Sequence, residues 1–353
     1  MSPRNMKVTT DNGDKKGMTV NWGIIGAGKI AESQMAPAIA TASGHELVAV
    51  SRRALDAAQR FADRHGARRA YDSVEALLED DQVNAVYVAT PPHLHARETV
   101  LAAEAGKHVL CEKPMAMTTG ESHAMIDACR ANGVILTICH YQRFNARHQR
   151  IRRLLEEGTI GQVTAARINF SDRFPPQPGV WHHVPQISGG GPVMDLGIHC
   201  IDLLRFLCGP AESVSALVET LVDSSPVADT ATLLLRLASG AQAVVTSHWT
   251  TANHEPERAN GLEICGTKGS IIAAPISAKD SAGTLRVLTE NGMQDYSVEP
   301  GGPRPHVALL GAFGDAVAGK SPNPIPGEEG LAGLAVVEAA YESARRGQRV
   351  EVK

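Results

Sequence analysis

From Val20 onward the chain alternates short apolar runs with longer segments whose apolar residues recur at helical spacing. "VNWGIIG" is an apolar run closed by glycine, and "GKIAESQMAPAIATA" after it carries the helical repeat. "HELVAVSRR", "ARRAYDS", "VNAVYVAT", "KHVLCEKP" and "VILTICHY" read as further strands. Between them "ALDAAQRFADRHG", "VEALLEDD", "HARETVLAAEAG" and "GESHAMIDACRANG" read as helices. Strands that alternate with helices predict right-handed crossovers and a doubly wound parallel sheet over residues 20–140.

The pattern then changes. "QVTAARINFSD", "SVSALVETL", "ATLLLRLASGAQAVVTSHWT", "GLEICGTKGSIIAA" and "LRVLTENGMQDYSV" alternate or run apolar between turn signals, with Ser239-Gly240 and Asn291-Gly292 as hairpin turns. They predict an open, mainly antiparallel sheet in an α+β domain over residues 141–353, with one face in need of cover. "SGGGPVMDLGIHCIDLLRFLCG" predicts a helix with a flexible glycine lead-in and Gly209 as its C-cap. "EEGLAGLAVVEAAYESARRG" predicts a closing helix. Residues 1–19 are polar, lack the apolar core of a signal peptide, and are expected to be a disordered tail.

Composition narrows the function classes. A length of 353 residues with 43% hydrophobic residues suits about two globular domains. A formal charge of −4 offers no basic field for nucleic acid or an anionic membrane. The arginines of "QRFNARHQRIRRLLEEG" are expected on a solvated helix face, in preference to a phosphate-binding patch. Six cysteines without a CxxC pair point to a reducing, cytoplasmic compartment, and no run is long enough to span a membrane.

In a doubly wound sheet the ligand lies beyond the carboxyl ends of the strands. The first such end carries "GAGKIA", with Gly26, Gly28 and Ala31 in the G-x-G-x-x-A spacing of a Rossmann dinucleotide site and Lys29 and Ile30 inside it. The second carries Ser51, Arg52 and Arg53 where an NAD site usually has an acidic residue. A hydroxyl and guanidinium groups suit a 2′-phosphate, so NADP is expected in preference to NAD. The third, "ATPPHLHARE", places Thr90, Pro91 and His95 at the nicotinamide-ribose end of the groove.

The fifth strand closes on Glu112, Lys113 and Pro114. There Lys113 can hold an ammonium beside the substrate carbon, and Glu112 can meet the cofactor ribose or restrain the lysine. Pro114 is a candidate for a rigid, cis-capable bond that aims both side chains. In the glycine-led helix, Asp195 and His199 are spaced to share a face, with Asp202 further along. A carboxylate beside an imidazole suits a general base. His182, His183, Asp195 and His199 do not follow the spacing of known zinc motifs, so no metal site is expected.

"GIIGAGKIA", "ATPPHLH", "GKHVLCEKPMAMT" and "DLGIHCID", in this order, resemble the Gfo/Idh/MocA oxidoreductases, over about Asn21 to Val350. The resemblance implies that Lys113, Asp195 and His199 form the catalytic group, and that the chain works without a metal. It also implies a substrate loop at "PPQPGVWHHVPQISGGG", where sugar-active members often have Trp-Arg and this chain has Trp181-His182. "YQRFN" resembles the segment leading to the substrate, with Arg143 either facing the pocket or in a structural ion pair. Substrate contacts are thus expected from Lys113, Arg143, Trp181, His182, Asp195 and His199. The implied activity is hydride transfer between NADP(H) or NAD(H) and a sugar, polyol or related hydroxyl compound, in a homodimer or homotetramer. The alternatives are a catalytically silent nucleotide-binding sensor and a reductase of another carbonyl, such as a nucleotide-linked ketosugar.

Overall fold

The computed structural model describes residues 19–177, 179–251, 260–278, 280–302 and 304–353. The expectation for the polar N-terminal segment therefore falls outside the described residues, apart from Thr19. β1 (Val20–Ile25), β2 (His45–Ser51), β3 (Arg69–Tyr71), β4 (Ala85–Val88), β5 (His108–Cys111) and β6 (Leu136–Ile138) form a sheet in the order β3-β2-β1-β4-β5-β6. Every neighbouring pair in it is parallel. Helices α1 (Ala36–Thr41), α2 (Leu55–His65), α3 (Val74–Leu78), α4 (Pro92–Glu104) and α5 (Thr119–Ala131) make the crossovers. Because helices cover both faces, β4 and β6 are buried at every residue, which is why their sequences run apolar without alternating. The strand order reverses between β1 and β4, and a crevice opens at their carboxyl ends.

The first crossover departs from a plain helix. Ala31–Met35 is a π-turn, with the Ala36 N–H donating to the Ala31 carbonyl, before α1 begins. Pro37 has no N–H to contribute, so widening the preceding turn leaves no donor misplaced.

The second sheet has nine strands in the order β14-β13-β12-β11-β7-β10-β9-β8-β15. They are β7 (Val163–Ser171), β8 (Ala211–Glu219), β9 (Thr230–Leu237), β10 (Gln242–His248), β11 (Asn260–Gly266), β12 (Gly269–Ala274), β13 (Thr284–Thr289), β14 (Gly292–Asp295) and β15 (Val350–Glu351). Only β7 and β10 pair in parallel. In β9, Ala231, Leu233, Leu235 and Leu237 face the core while Thr232, Leu234 and Arg236 face outward. Both expected hairpin turns are present, with Gly240 at φ 85° and Gly292 at φ 101°. The outer face stays uncovered, exposing Leu217, Leu234, Ile272 and Leu288.

Five more α-helices follow among the described residues: α6 (Ala146–Glu156), α7 (Pro185–Ser188), α8 (Ile198–Cys208), α9 (Pro305–Val317) and α10 (Gly327–Arg346). α8 lies on the inner face of β7, and α10 packs on β8, α5 and α8, spanning both sheets. α9 returns to the first sheet, where Phe313 meets Trp22 with ring centroids 5.0 Å apart. The arginine-rich stretch is a solvated face only in part, where Arg152 and Arg153 are exposed and Arg152 pairs with Glu156. Arg147 is fully buried, and its guanidinium donates to the carbonyls of Ser281, Thr284 and Pro275, tying α6 to the loop before β13. Among the described residues no helix is long and apolar enough to cross a membrane, and all six cysteines are free thiols.

Candidate active site

The crevice begins at the turn after β1. Gly26 sits at φ +82°, and a Cβ there would lie 2.7 Å from the backbone nitrogen of Thr90, so no other residue fits. A Cβ on Gly28 would meet nothing closer than the Gly26 carbonyl at 3.8 Å, leaving bare backbone for an approaching phosphate. Beside this turn the carbonyl of Ser51, at the end of β2, accepts from the N–H groups of Gly26 and Ala27, each at 3.2 Å. Arg52 and Arg53 follow, exposed, with no ion-pair partner for either guanidinium among the described residues. Bare turn, helix start and free cations fit a phosphorylated dinucleotide.

The crevice leads into a cavity of about 270 Å³ between the two sheets. Lys113 reaches it from the end of β5, past a cis Lys113–Pro114 bond. Its Nζ donates to the main-chain oxygen and to Oδ1 of Asp195, both at 2.9 Å. Glu112 is buried, accepting from the Tyr87 hydroxyl and, at 3.0 Å, from the Lys113 N–H, so it restrains the lysine backbone. Burial would raise the Asp195 carboxyl, but the Lys113 ammonium and the nearby His182 outweigh it and hold the group below the usual carboxylate value.

Asp195 owes its place to the glycines before it. Gly190 has φ +146°, and a side chain there would collide with the Tyr341 hydroxyl; one on Gly191 would collide with the Ala228 carbonyl. Close approach, not flexibility, explains these glycines. After Pro192 the chain makes a π-turn, Val193–Gly197, and only then enters α8. Asp195 accepts from Lys113, and no hydrogen bond joins it to His199, so the expected carboxylate–imidazole pair is not formed.

His199 is buried at the cavity wall, with its ring centroid 5.7 Å from those of Tyr141 and Phe170. Desolvation foremost, then the charge of Lys113, pulls its pKa well below the ordinary imidazole value, so the ring is neutral near neutral pH. Opposite, Trp181 and His182 stack at 3.8 Å, and Phe174 meets His182 edge-on at 4.6 Å. Burial also lowers the His182 pKa.

Of the residues expected at the site, Ile30, Thr90, His95, Glu112, Lys113, Trp181, His182, Asp195 and His199 line this one cavity. Gly26, Gly28, Lys29, Ser51, Arg52, Arg53 and Pro91 are not in its lining; they stand at or just past the carboxyl ends of β1, β2 and β4. Arg143 does not reach the cavity. It is buried in ion pairs with Asp202 (2.7 Å) and Glu329 (2.6 Å), which corrects its expected substrate contact. His95 is buried too, each ring nitrogen against a backbone carbonyl. Tyr141, Ser188 and Met194 also line the cavity, from segments the sequence had marked without singling them out; Trp249, just past β10, had only its place at a strand end to betray it. Among the described residues no three His, Cys, Asp or Glu side chains are grouped to hold a metal ion.

A nucleotide crevice at a strand-order reversal, opening onto an amine, a carboxylate and an imidazole, defines a pyridine-nucleotide oxidoreductase. The chain belongs to the GFO/IDH/MocA family: residues 20–140 match its oxidoreductase domain with NAD-binding Rossmann fold, and residues 148–272 match its C-terminal domain. It is 34% identical to 1,5-anhydro-D-fructose reductase of Ensifer adhaerens, over 94% of this chain and 98% of that one. It is 32% identical to D-xylose 1-dehydrogenase (NADP(+)) 2 of Haloferax volcanii, over 94% and 99%. Aldose-aldose oxidoreductase of Caulobacter crescentus, solved with glycerol, superposes with a TM-score of 0.86 at 27% identity, covering 94% of this chain and 99% of that one.

Proposed function

We propose that this oxidoreductase uses NADP(H) in preference to NAD(H) and acts on a hydroxyl or carbonyl carbon of a monosaccharide-sized sugar or polyol, with Lys113 and His199 as its catalytic residues. The carrying observation is that the Lys113 ammonium and the His199 imidazole share one cavity beyond the nucleotide crevice. The bound nicotinamide supplies or takes the hydride. An ammonium has three donors; two are engaged by Asp195, leaving one for the substrate oxygen. In reduction Lys113 therefore protonates the nascent alkoxide, with Asp195 holding the amine in place. His199, held neutral, accepts the hydrogen bond of the substrate hydroxyl and takes its proton in oxidation.

The aromatic walls of Trp181, Trp249 and Tyr141 suit the C–H face of a sugar ring, with Ser188 and His182 to meet hydroxyls. The two relatives named above for sugar chemistry support this substrate class. Unpaired Arg52 and Arg53 support the 2′-phosphate preference. The exposed leucines and Ile272 of the outer sheet face support assembly into a homodimer or homotetramer, to be read by light scattering. Six free thiols are consistent with a cytoplasmic setting.

An aldose and polyol panel, assayed with both cofactors by nicotinamide absorbance, tests the reading. Lys113→Met and His199→Ala should each lower kcat by about 100-fold or more with cofactor affinity kept. Near-normal kcat in either variant overturns the assignment of that residue.

A further inference from the structure

The helix α4 holds a side chain that touches both halves of the crevice. Buried His95 sets Nε2 at 2.7 Å from the Thr90 carbonyl and Nδ1 at 2.9 Å from the Pro114 carbonyl. Thr90 closes β4 and presses its backbone nitrogen against the Gly26 turn, while Pro114 follows Lys113 directly. One helical turn further, Glu98 accepts from the Thr90 hydroxyl, so the same helix face grips Thr90 twice. A continuous line of contact thus runs from the glycine turn through Thr90 and His95 to the amine. Both partners of His95 are acceptors and burial lowers its pKa, so the neutral ring donates to one carbonyl at a time and lies against the other, with neither nitrogen left to face cofactor or substrate.

We propose that His95 is a positioning residue, a bridge between the β4 and β5 ends that sets where Lys113 stands relative to the nucleotide turn. It acts through Lys113 and touches no reacting atom. This inference rests on Lys113 being the catalytic amine, and the test separates the two.

His95→Leu, similar in bulk and without donors, frees the Pro114 carbonyl. A displaced amine should lower kcat by about 30-fold. NADPH affinity, read by fluorescence, should move less than about threefold, because the glycine turn does not depend on the bridge. The primary deuterium isotope effect on kcat should rise as the chemical step slows. In a Lys113→Met background the same change should cost less than about twofold, since the positioned group is gone. His95→Gln, which keeps a donor, should recover kcat to within about fivefold of the parent, and it carries the test if the leucine variant fails to fold. Losses that multiply in the double variant, or a fall confined to NADPH affinity, overturn the bridge. So does unchanged kcat in folded His95→Leu, or a His95→Gln variant that is no more active than a folded His95→Leu. A fully active Lys113→Met would instead sink the catalytic reading on which the bridge depends.

Discussion

Replacing Asp195 with asparagine isolates what its charge does for Lys113. An oxygen stays in place to accept from Nζ, and the main-chain bond at 2.9 Å is untouched, so geometry is preserved while the ion pair is lost. The ammonium still donates to the amide oxygen, so what is lost is the charge–charge attraction of the pair, on the order of 1–1.5 kcal/mol. The side chains are 16% and 31% exposed, so water screens part of this and the lower end applies. At 1.36 kcal/mol per decade, kcat/KM should fall by about 5- to 10-fold in Asp195→Asn. Asp195→Ala removes the acceptor as well and should cost about 100-fold. Steady-state kinetics with saturating NADPH, beside NADPH binding by fluorescence, give both numbers. The pairing also has a pH signature. Because the folded carboxyl lies below its ordinary value, its stabilisation is complete above about pH 4 and is lost as pH falls through the folded value. Asp195→Asn should therefore be less stable than the parent at pH 7, and the gap should narrow below about pH 4. An Asp195→Asn enzyme within twofold of the parent in kcat/KM would refute the claim that this carboxylate conditions the lysine.

Asp202→Ala leaves the buried Arg143 guanidinium with Glu329 alone and should destabilise the fold by about 3–5 kcal/mol, read from urea midpoints, with sugar KM unchanged. A raised KM at unaltered stability would return Arg143 to the substrate. Exchanging Arg52 and Arg53 for serine should lower kcat/KM with NADP(H) by about 10-fold or more and leave NAD(H) turnover intact; equal losses would contradict the 2′-phosphate reading. Burial lowers His306 to about 4 and His148 to about 3. The unfolded chain takes up protons first as pH falls below about 6.5, so each should remove about 1.4 kcal/mol of stability per pH unit until its folded value is reached. Denaturation midpoints at pH 7.5 and 5 check this, and a flat profile would refute it.

The first sheet was legible because its physics is local. Strands covered on both faces must be continuously apolar, and the glycine turn must follow the first of them, so "VNWGIIGAG" announces both. The nine-stranded sheet was legible for the opposite reason: one wet face forces the alternation seen in β9. α9 escaped because "PHVALLGAFGDAV" is apolar on most sides. It is sandwiched against α1 and the Tyr141 segment, so no polar stripe marks its period.

At the site, residue types were legible and pairings were not. Asp195 and His199 are four apart, but the carboxylate is taken by Lys113, which reaches it from the end of β5. Nothing in "DLGIHC" signals the π-turn at Val193–Gly197 or the lysine partner, and upstream Gly190 and Gly191 are pressed against Tyr341 and Ala228 from distant parts of the chain. Arg143 shows the same limit, since its partners Asp202 and Glu329 are set by α8 and α10 meeting in space. A motif names which side chains can do chemistry, whereas tertiary packing decides which of them neutralise one another. Here packing gives Asp195 to the lysine and leaves the histidine without that carboxylate.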